Sequence, residues 1–390
     1  MIKKILVICD NFLPPNVKVA GVKNLYLLQR HLSAKGFIIH LVVFVHNHTV
    51  SNWQDWRKSE EAKYNIRFHV FNVPFKRIYF LHLFITRTLS FFIVLFLQIS
   101  NRFDLIHEYS SAPFLVNRTY LLGLLTGAKT VHTLCTMNKT LSGSVKLLFR
   151  STNRLICSAK TLKNSLEERL KARIDFIPTP IDEIFFCNSN IDLKRGLSIK
   201  TKKAVIFSGI LDARKGIATF LEAVPCIMEN NADTGIVILT APGLNTDNAC
   251  RENRKKALAL VRKYAERAVF IEEEVDVPLL FSGIDVQVYP PLTMHGTLGS
   301  PAILIEGMAM GKAIVASRLP EIAEIIKDGE NGLLFTAGDD QELAQAVNKL
   351  LKEPDLRFRF GERAKADSQK YRLSVVGEQI SNLYNEVLFN

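Results

Sequence analysis

The sequence predicts an α/β protein with two domains, each built around a parallel β-sheet. Three observations support this fold class. Short apolar segments alternate with amphipathic helical segments through both halves of the chain, which is typical of parallel strands joined by crossover helices. A proline-rich turn, IPTPID at residues 177–182, interrupts this alternation once. At 390 residues, the chain is too long for a single hydrophobic core and has a length typical of two.

The first half begins with the strand KKILVIC at residues 3–9, which a loop containing Gly21 joins to a helix ending at Gly36. A second strand is predicted at 37–45, segments that begin as a strand and end as a loop at 103–110, 128–135 and 152–158, and a further helix at 158–171. The segment RIDFIPTPID is then a strand that runs into the proline turns. We therefore place the first domain at residues 1–182.

The second half repeats the alternation. Strands are predicted at 202–209, 234–243, 267–272 and 313–317, with another ending in VQVYPP, and helices at 215–230, 250–265, 302–310 and 339–366. We place the second domain at residues 183–370 and a last helix at 371–390. Because ligands of such folds bind at the carboxyl ends of the strands, we expect chemistry in the loops that follow KKILVIC, AKTVH, AVIFSG and VQVYPP.

Composition narrows the class of protein. The six cysteines form no CxxC pair, which indicates neither a zinc site nor a disulfide framework, and we read them as free thiols in a reducing cytosol. The apolar run at the amino terminus is too short for a signal peptide. No Asp-x-Asp metal signature lies at a predicted strand end, and we expect no metal.

The charge is concentrated in the first half of the chain. Residues 1–185 contain 25 Lys and Arg against 11 Asp and Glu, a net charge of +14, whereas the remainder has a net charge of −2. From Tyr109 to Leu166 there are eight basic residues and no acidic one. Such a half is expected to face something anionic: nucleic acid, a membrane surface or a phosphate-rich substrate.

The most apolar segment, residues 76–102, favours the membrane among these partners. Its uninterrupted part, Thr88 to Ser100, is too short to cross a bilayer, and basic residues flank it on both sides. It is either an interfacial segment with its apolar side in lipid, or one or two buried core helices. No nucleic-acid-binding motif is present, so we expect no nucleic-acid partner and a peripheral position on an anionic membrane.

The segment GSPAILIEGMAMGKAIVAS, residues 299–317, has one acidic side chain, Glu306, in an almost wholly apolar run. Ser300 and Pro301 signal a helix start, with Ser300 as the capping hydroxyl, and Gly311 signals its end. The free N–H groups at Ala302 and Ile303 would suit a phosphate. A helix so apolar is expected to be buried, and Glu306 then needs a partner, either a ligand hydroxyl or a nearby Arg.

Other candidate site residues follow predicted strands. In FSGILDARKG, Gly209 forms a turn, and Arg214 and Lys215 either neutralise a diphosphate leaving group or form a solvated pair. Gly21 allows the backbone to approach a phosphate closely. His132, in AKTVHTLCT, either hydrogen-bonds a reacting sugar or is structural.

These residues carry a resemblance to glycosyltransferase family 4, the retaining sugar-nucleotide transferases with the GT-B fold of two Rossmann-like domains facing a cleft. The resemblance covers nearly the whole chain and is strongest in GSPAILIEGMAMGKAIVASRLPEIAEIIKDGENGLLF and DDQELAQAVNKLL. It departs from the family pattern in the first half of the site, where Ala20-Gly21 replaces a glycine pair. Further departures are Ile210, which replaces an arginine, and Leu298, which replaces a second glutamate.

The resemblance implies specific roles. It implies that Glu306 holds the ribose of a nucleotide, that Lys215 binds phosphate and that His132 contacts the donor sugar. The diphosphate would lie against Gly21, Gly209, Gly299, Ser300, Ala302 and Ile303, with Arg214 beside Lys215. The donor would be a nucleotide-diphosphate sugar, and the chain itself would hold no cofactor.

The function implied is transfer of a sugar to a lipid-linked or cell-envelope glycan acceptor at the cytoplasmic face of a membrane, without a protein nucleophile. The last helix would pack back on the first domain. Two alternatives remain open at this stage. One is a GT-B epimerase or hydrolase of sugar nucleotides, which would turn over its donor without acceptor. The other is a non-catalytic, membrane-associated binding protein with a weakened site.

Overall fold

The computed structural model of the chain describes residues 3–9, 20–45, 53–72, 79–110, 116–134, 152–170, 173–187, 201–241, 247–295 and 299–389. These residues form two compact units. The first consists of residues 1–180, 295–300 and 373–390, and the second of residues 181–294 and 301–372. The loop 295–300 and the last helix therefore belong to the first unit, although most of the second unit precedes them in sequence.

The first unit contains a seven-stranded parallel sheet. Its strands are β1 (Lys4–Cys9), β2 (Ile38–Val45), β3 (Ile66–Asn72), β4 (Leu105–Ser110), β5 (Lys129–Leu134), β6 (Arg154–Cys157) and β7 (Asp175–Phe176). Its helices are α1 (Ala20–Ala34), α2 (Trp53–Lys63), α3 (Tyr79–Asn101), α4 (Val116–Thr126), α5 (Lys160–Leu170) and, from the end of the chain, α13 (Leu373–Phe389). The strand order is β3-β2-β1-β4-β5-β6-β7.

The second unit contains a six-stranded parallel sheet. Its strands are β8 (Lys203–Ser208), β9 (Thr234–Leu239), β10 (Ala268–Ile271), β11 (Val286–Tyr289), β12 (Ala313–Ser317) and β13 (Leu333–Phe335). Its helices are α6 (Ile217–Asn230), α7 (Asn248–Tyr264), α8 (Val277–Ser282), α9 (Ala302–Ala309), α10 (Pro320–Ala323), α11 (Asp340–Lys352) and α12 (Pro354–Ser368). The strand order is β10-β9-β8-β11-β12-β13.

The predicted α/β class with two parallel sheets is therefore confirmed, and most predicted strands lie within two residues of the observed ones. The central strands are buried on both faces, as continuous apolar runs require. In the segment 76–102, the described residues 79–102 contain a single helix, α3, of 23 residues. No helix in the described part of the chain combines the length and the apolar character that a membrane span needs.

The core of the first unit depends on its last helix. Tyr384 of α13 is fully buried, and its hydroxyl lies 2.6 Å from Nδ1 of His107 on β4. The other ring nitrogen of His107 lies 2.7 Å from the Thr133 hydroxyl on β5. Burial, reinforced by the neighbouring His132, lowers the pKa of His107 well below its usual value, so this histidine is neutral. A buried polar network therefore joins α13 to the centre of the sheet.

Candidate functional site

The second unit has a topological switch point between β8 and β11. These two strands are hydrogen-bonded neighbours, and the chain order proceeds outward from them in opposite directions. In open parallel sheets, ligands bind at the carboxyl edge of such a pair, where the two following loops diverge. The loop after β8 carries Gly209, Arg214 and Lys215, and the loop after β11 leads to α9. Most of the predicted donor-site residues thus follow the two strands of the switch point.

The loop after β8 is held by hydrogen bonds along its length. The amide of Gly209 donates to the Leu239 carbonyl over 3.0 Å, and the buried Asn253 amide donates to the Leu211 carbonyl over 2.8 Å. Asp212 then accepts from the amide of Arg214 and so begins a 3-10 turn at Ala213–Lys215. These contacts fix the backbone from which the Arg214 and Lys215 side chains extend.

Arg214 and Lys215 differ in what surrounds them. The Arg214 guanidinium is bound by the Asp212 carboxylate, with Nε 3.1 Å from Oδ1 and Nη2 2.5 Å from Oδ2. That hydrogen bond holds the pKa of the Asp212 carboxyl below its usual range. Burial, followed by the charge of Arg214, lowers the pKa of the Lys215 amine. A partly desolvated ammonium gains more from a bound anion than a solvated one, so Lys215 is the better placed cation of the two.

The loops after β8 and β11 contact each other directly. The amide of Leu292 donates to the Arg214 carbonyl over 2.9 Å. Gly216, which follows Lys215, has the left-handed φ of 71° and lies so close to Pro290 that an added Cβ would overlap the Pro290 carbonyl. Glycine is therefore required here both for its backbone conformation and for space. The close packing brings the Lys215 backbone to the end of β11.

Helix α9 begins at Ala302, as predicted, but Ser300 does not cap it. Pro301 stands at the N-cap position, and no side chain caps the helix. The Ser300 hydroxyl instead donates to the Ser158 carbonyl over 2.5 Å, within the first unit. The Ser300 hydroxyl thus bonds to a carbonyl 142 residues away in sequence and not to the first amides of α9. The uncapped start of α9 leaves its first amides to an anion, which the positive end of a helix dipole favours.

Glu306 lies inside this helix and is only 4% exposed, as the apolar pattern predicts. The helix is anchored to β11 by Gln287, whose amide donates to the Ile303 carbonyl over 2.8 Å. The carbonyl oxygen of the same Gln287 side chain lies against Gly307, where an added Cβ would overlap it. Gln287 is itself 1% exposed. The position of α9 relative to the sheet, and with it that of Glu306, is thus fixed by a polar contact in an apolar layer.

The remaining predicted residues belong to the first unit. Gly21 is the second residue of α1, not a loop residue, because the helix begins three residues earlier than predicted. His132 lies within β5, not after it, and is fully buried beside Glu108 in the strand register. Gly299 packs against Ser158 and Ala159, so closely that an added Cβ would lie 2.7 Å from the Ala159 Cβ. The described contacts do not bring Gly21, His132 and Gly299 together.

The sequence reasoning missed three residues that shape the site in the second unit. They are Asp212, Gly216 and Gln287. Asp212 has a local signal, since a carboxylate two residues before an arginine at a turn is a common cap. Gln287 also has one, as the only amide side chain in the buried strand VQVY. Among the residues described, no cluster of three or more His, Cys, Asp or Glu side chains has the geometry of a metal site.

Comparison with known proteins connects this geometry to a family. Residues 189–367 match the family model of glycosyl transferases group 1. This range includes β8 to β13, the 3-10 turn with Lys215, and α9 with Glu306. The resemblance seen in the sequence to a glycosyltransferase family is thus confirmed for the second half of the chain.

Individual relatives agree with the family match. The chain is 32% identical over 186 residues to a phosphatidyl-myo-inositol mannosyltransferase of Mycobacterium leprae, covering 47% of each chain. It is 26% identical over 200 residues to the alpha-D-kanosaminyltransferase of Streptomyces kanamyceticus, covering 50% of this chain and 49% of the relative. The matched part therefore spans about half the length of these curated relatives.

The fold is shared over a longer range. The structure of HepE from Anabaena, in complex with UDP and glucose, superimposes with a TM-score of 0.75 at 17% identity. The match covers 98% of this chain and 100% of that one. Both α/β units therefore have counterparts in a protein crystallised with a nucleotide and a sugar.

Proposed function

We propose that the protein is a retaining glycosyltransferase that transfers a sugar from a nucleotide-diphosphate sugar to a lipid-linked or cell-envelope glycan acceptor. The observation that carries this proposal is the switch point of the second unit. There the half-buried Lys215, the uncapped start of α9 and the buried Glu306 follow two adjacent strands in a region that matches group 1 glycosyl transferases.

The proposed chemistry assigns each feature a part of the reaction. The bond between the sugar C1 and the diphosphate oxygen breaks, and the electron pair leaves with the diphosphate. Lys215 and the first amides of α9 stabilise the negative charge that develops there. The acceptor hydroxyl oxygen forms the new bond to C1 from the same side, and its proton passes to the departing diphosphate oxygen. Glu306 holds the ribose diol, whose hydroxyls donate hydrogen bonds to its buried carboxylate.

The proposal includes no metal and no bound cofactor, because Lys215 and the helix start supply the positive charge that the leaving group needs. His132, Gly21, Gly209, Arg214, Gly299, Ser300 and Ile303 complete the proposed donor site. The roles of these residues remain predictions. A UDP-sugar is the first donor to test, since HepE was crystallised with UDP and glucose.

The acceptor side of the proposal rests on the first half of the chain. Its net charge of +14 suits the anionic surface of a membrane, and we place the activity at the inner face of the cytoplasmic membrane. A lipid-linked acceptor also agrees with the name of the Mycobacterium leprae relative, a phosphatidyl-myo-inositol mannosyltransferase.

Calorimetric titration with UDP-, GDP-, ADP- and TDP-sugars tests the donor site. We expect one nucleotide class to bind the intact protein, and Glu306→Ala and Lys215→Ala each to weaken that binding at least tenfold. Lys349→Ala is the control, because Lys349 is an exposed lysine of α11 on the same unit. Absence of nucleotide binding by the folded protein would contradict the proposal. If the protein hydrolyses the donor at the same rate with and without candidate acceptors, it is a hydrolase and not a transferase.

A further inference from the structure

Helix α3 of the first unit exposes a row of large apolar side chains. Leu89, Phe92, Phe96 and Ile99 are 41%, 60%, 69% and 66% exposed. Their spacing of three, four and three residues places them along one face of the helix. The opposite face, which includes Val94 and Leu97, is buried against the sheet. The helix is thus apolar on the side that packs and also on the side that does not.

Helix α4 extends this apolar surface. Leu121, Leu124 and Leu125 are 42%, 66% and 62% exposed, while Leu122 between them is fully buried in the core shared with α3. The two helices contact each other side by side on one layer of the sheet. We call these seven exposed side chains the α3–α4 face. Contiguous apolar surface of this kind on a folded protein marks an interaction site.

The chain segments that contain and follow helices α3 and α4 carry almost only positive charge in sequence. Residues 76–103 include four basic and no acidic residues, and residues 109–166 include eight basic and no acidic ones. At the carboxyl end of α3, the exposed Arg102 follows the helix, and the Lys4 ammonium lies 3.4 Å from the Asn101 carbonyl. The first acidic residue after this helix, Asp104, accepts a hydrogen bond from the Lys4 backbone amide.

We propose that the α3–α4 face is the surface by which the protein lies on an anionic lipid bilayer. The phenylalanines and leucines enter the boundary between headgroups and acyl chains, and basic side chains such as Lys4 and Arg102 at the end of α3 contact lipid phosphates. This inference deepens the membrane contact put forward under the proposed function and rests on it. A second copy of the chain is the less suitable occupant, because a symmetric contact would bring together two halves that each carry a net charge of +14.

The fold gives this orientation a consequence for the acceptor. Helices α3 and α4 connect parallel strands, and so they run antiparallel to the strands beneath them. With both helices flat on the bilayer, the strands also lie along its surface. The carboxyl edge of the first sheet then opens sideways, parallel to the bilayer. A headgroup of a lipid-linked acceptor reaches that edge by diffusion in the plane of the membrane.

Vesicle flotation with the full chain tests the proposal. The probes are vesicles of phosphatidylcholine alone and of phosphatidylcholine with about a third phosphatidylglycerol. We expect wild-type protein to float with the anionic vesicles, and Phe92→Ser/Phe96→Ser to lower its partition coefficient at least tenfold. Phe358→Ser is the control, because Phe358 on α12 of the second unit is 72% exposed. It should change the partition coefficient less than twofold.

A charge variant separates the electrostatic contribution to membrane binding from the apolar one. Lys4→Glu/Arg102→Glu should reduce flotation with anionic vesicles and leave any weaker binding to neutral ones unchanged. Tryptophan fluorescence checks folding of each variant, since Trp53 and Trp56 both lie on α2 of the first unit.

Three outcomes would overturn the inference. They are unchanged flotation of the Phe92→Ser/Phe96→Ser protein, no flotation of the wild type with either vesicle, and a wild-type dimer in sedimentation that this variant dissociates. Donor binding, measured by calorimetry on the same samples, should be equal in wild type and in both double variants. Donor binding without flotation overturns only the docking surface, whereas absence of donor binding overturns the proposed function.

Discussion

Gln287 on β11 and Ile303 on α9 are joined by a 2.8 Å hydrogen bond from the glutamine amide to the isoleucine carbonyl. The same side chain presents its carbonyl oxygen to Gly307, one turn further along the helix. A single glutamine thus sets both the distance and the rotation of the helix that carries Glu306.

This relationship predicts strong coupling between positions 287 and 307. Gly307→Ala should destabilise the second unit by about 2 kcal/mol or more, because the new methyl group meets the Gln287 amide. Gln287→Ala removes the obstacle, and the double variant should be more stable than the sum of the single effects predicts. We expect a coupling energy of about 1–3 kcal/mol from a double-mutant cycle in urea. Additive effects would show that Gln287 and Gly307 are independent.

Substitution of Gly216 by alanine is predicted to destabilise the protein far more than the same substitution at other glycines with positive φ. Gly329→Ala, at φ 77° with no atom within 4 Å of the new Cβ, should cost only the conformational strain of about 1–2 kcal/mol. Gly216→Ala, at φ 71°, adds a clash with the Pro290 carbonyl and should cost at least ~2 kcal/mol more. Thermal unfolding of the two variants checks this, and equal losses of stability would contradict the close approach.

Arg214 and Lys215 are predicted to contribute unequally to donor binding. The Arg214 guanidinium is already held by Asp212, whereas Lys215 is the partly desolvated cation beside the end of β11. Lys215→Ala should raise the donor Kd at least tenfold, and Arg214→Ala less than threefold. Calorimetry of both variants with the same sugar nucleotide measures the difference. A larger effect at Arg214 would mean that Asp212 releases it when the donor binds.

Two buried histidines predict a loss of stability of the first unit in mild acid. Burial, followed by the neighbouring His69, lowers the pKa of His40 to about 4, and the pKa of His107 is also well below its usual value. Below about pH 6.5 the unfolded chain therefore binds protons that the folded unit does not. The free energy of unfolding should be constant near neutral pH and should fall by about 1.4 kcal/mol per pH unit for each such histidine below it.

Tryptophan fluorescence during urea unfolding measures this in the first unit, because both tryptophans of the chain lie on α2. His40→Gln removes one titrating group and retains an amide next to His69. Between pH 6.5 and 5, it should reduce the slope of the free energy of unfolding against pH by an amount equivalent to about one proton. An unchanged slope in this variant would assign the acid sensitivity to other groups.

The sequence predicted the central strands well because buried parallel strands leave uninterrupted apolar runs. It missed β3, whose segment IRFHVFN carries Arg67 and His69. Among the described strands, β3 lies at the edge of the sheet with a neighbour on one side only, and polar side chains are tolerated there. Ser300 shows a different limit. Its position before Pro301 is a good local capping signal, but a tertiary acceptor, the Ser158 carbonyl, binds its hydroxyl instead.

The site was predictable where its features are local. Glu306 stands out as a lone carboxylate in an apolar helix, and Lys215 follows a glycine-containing turn at the end of a strand. What sequence reasoning could not supply is the contact between the loops after β8 and β11, since the hydrogen bond from Leu292 to Arg214 joins residues 78 positions apart. Sequence spacing alone likewise placed His132 after β5, whereas the register with β4 places it inside the sheet.

Because of the last helix, the two units become complete in a different order from the order in which their translation begins. The ribosome delivers residues 181–372 of the second unit almost in one piece, and this unit can fold as it emerges. The first unit is translated earlier but lacks α13 until the second unit has been translated. The hydrogen bond between His107 and the Tyr384 hydroxyl can form only then. A nascent chain that stops short of α13 would therefore present a folded second unit beside an unfinished first one. Cellular quality control would meet the defect in the part of the protein that was made first.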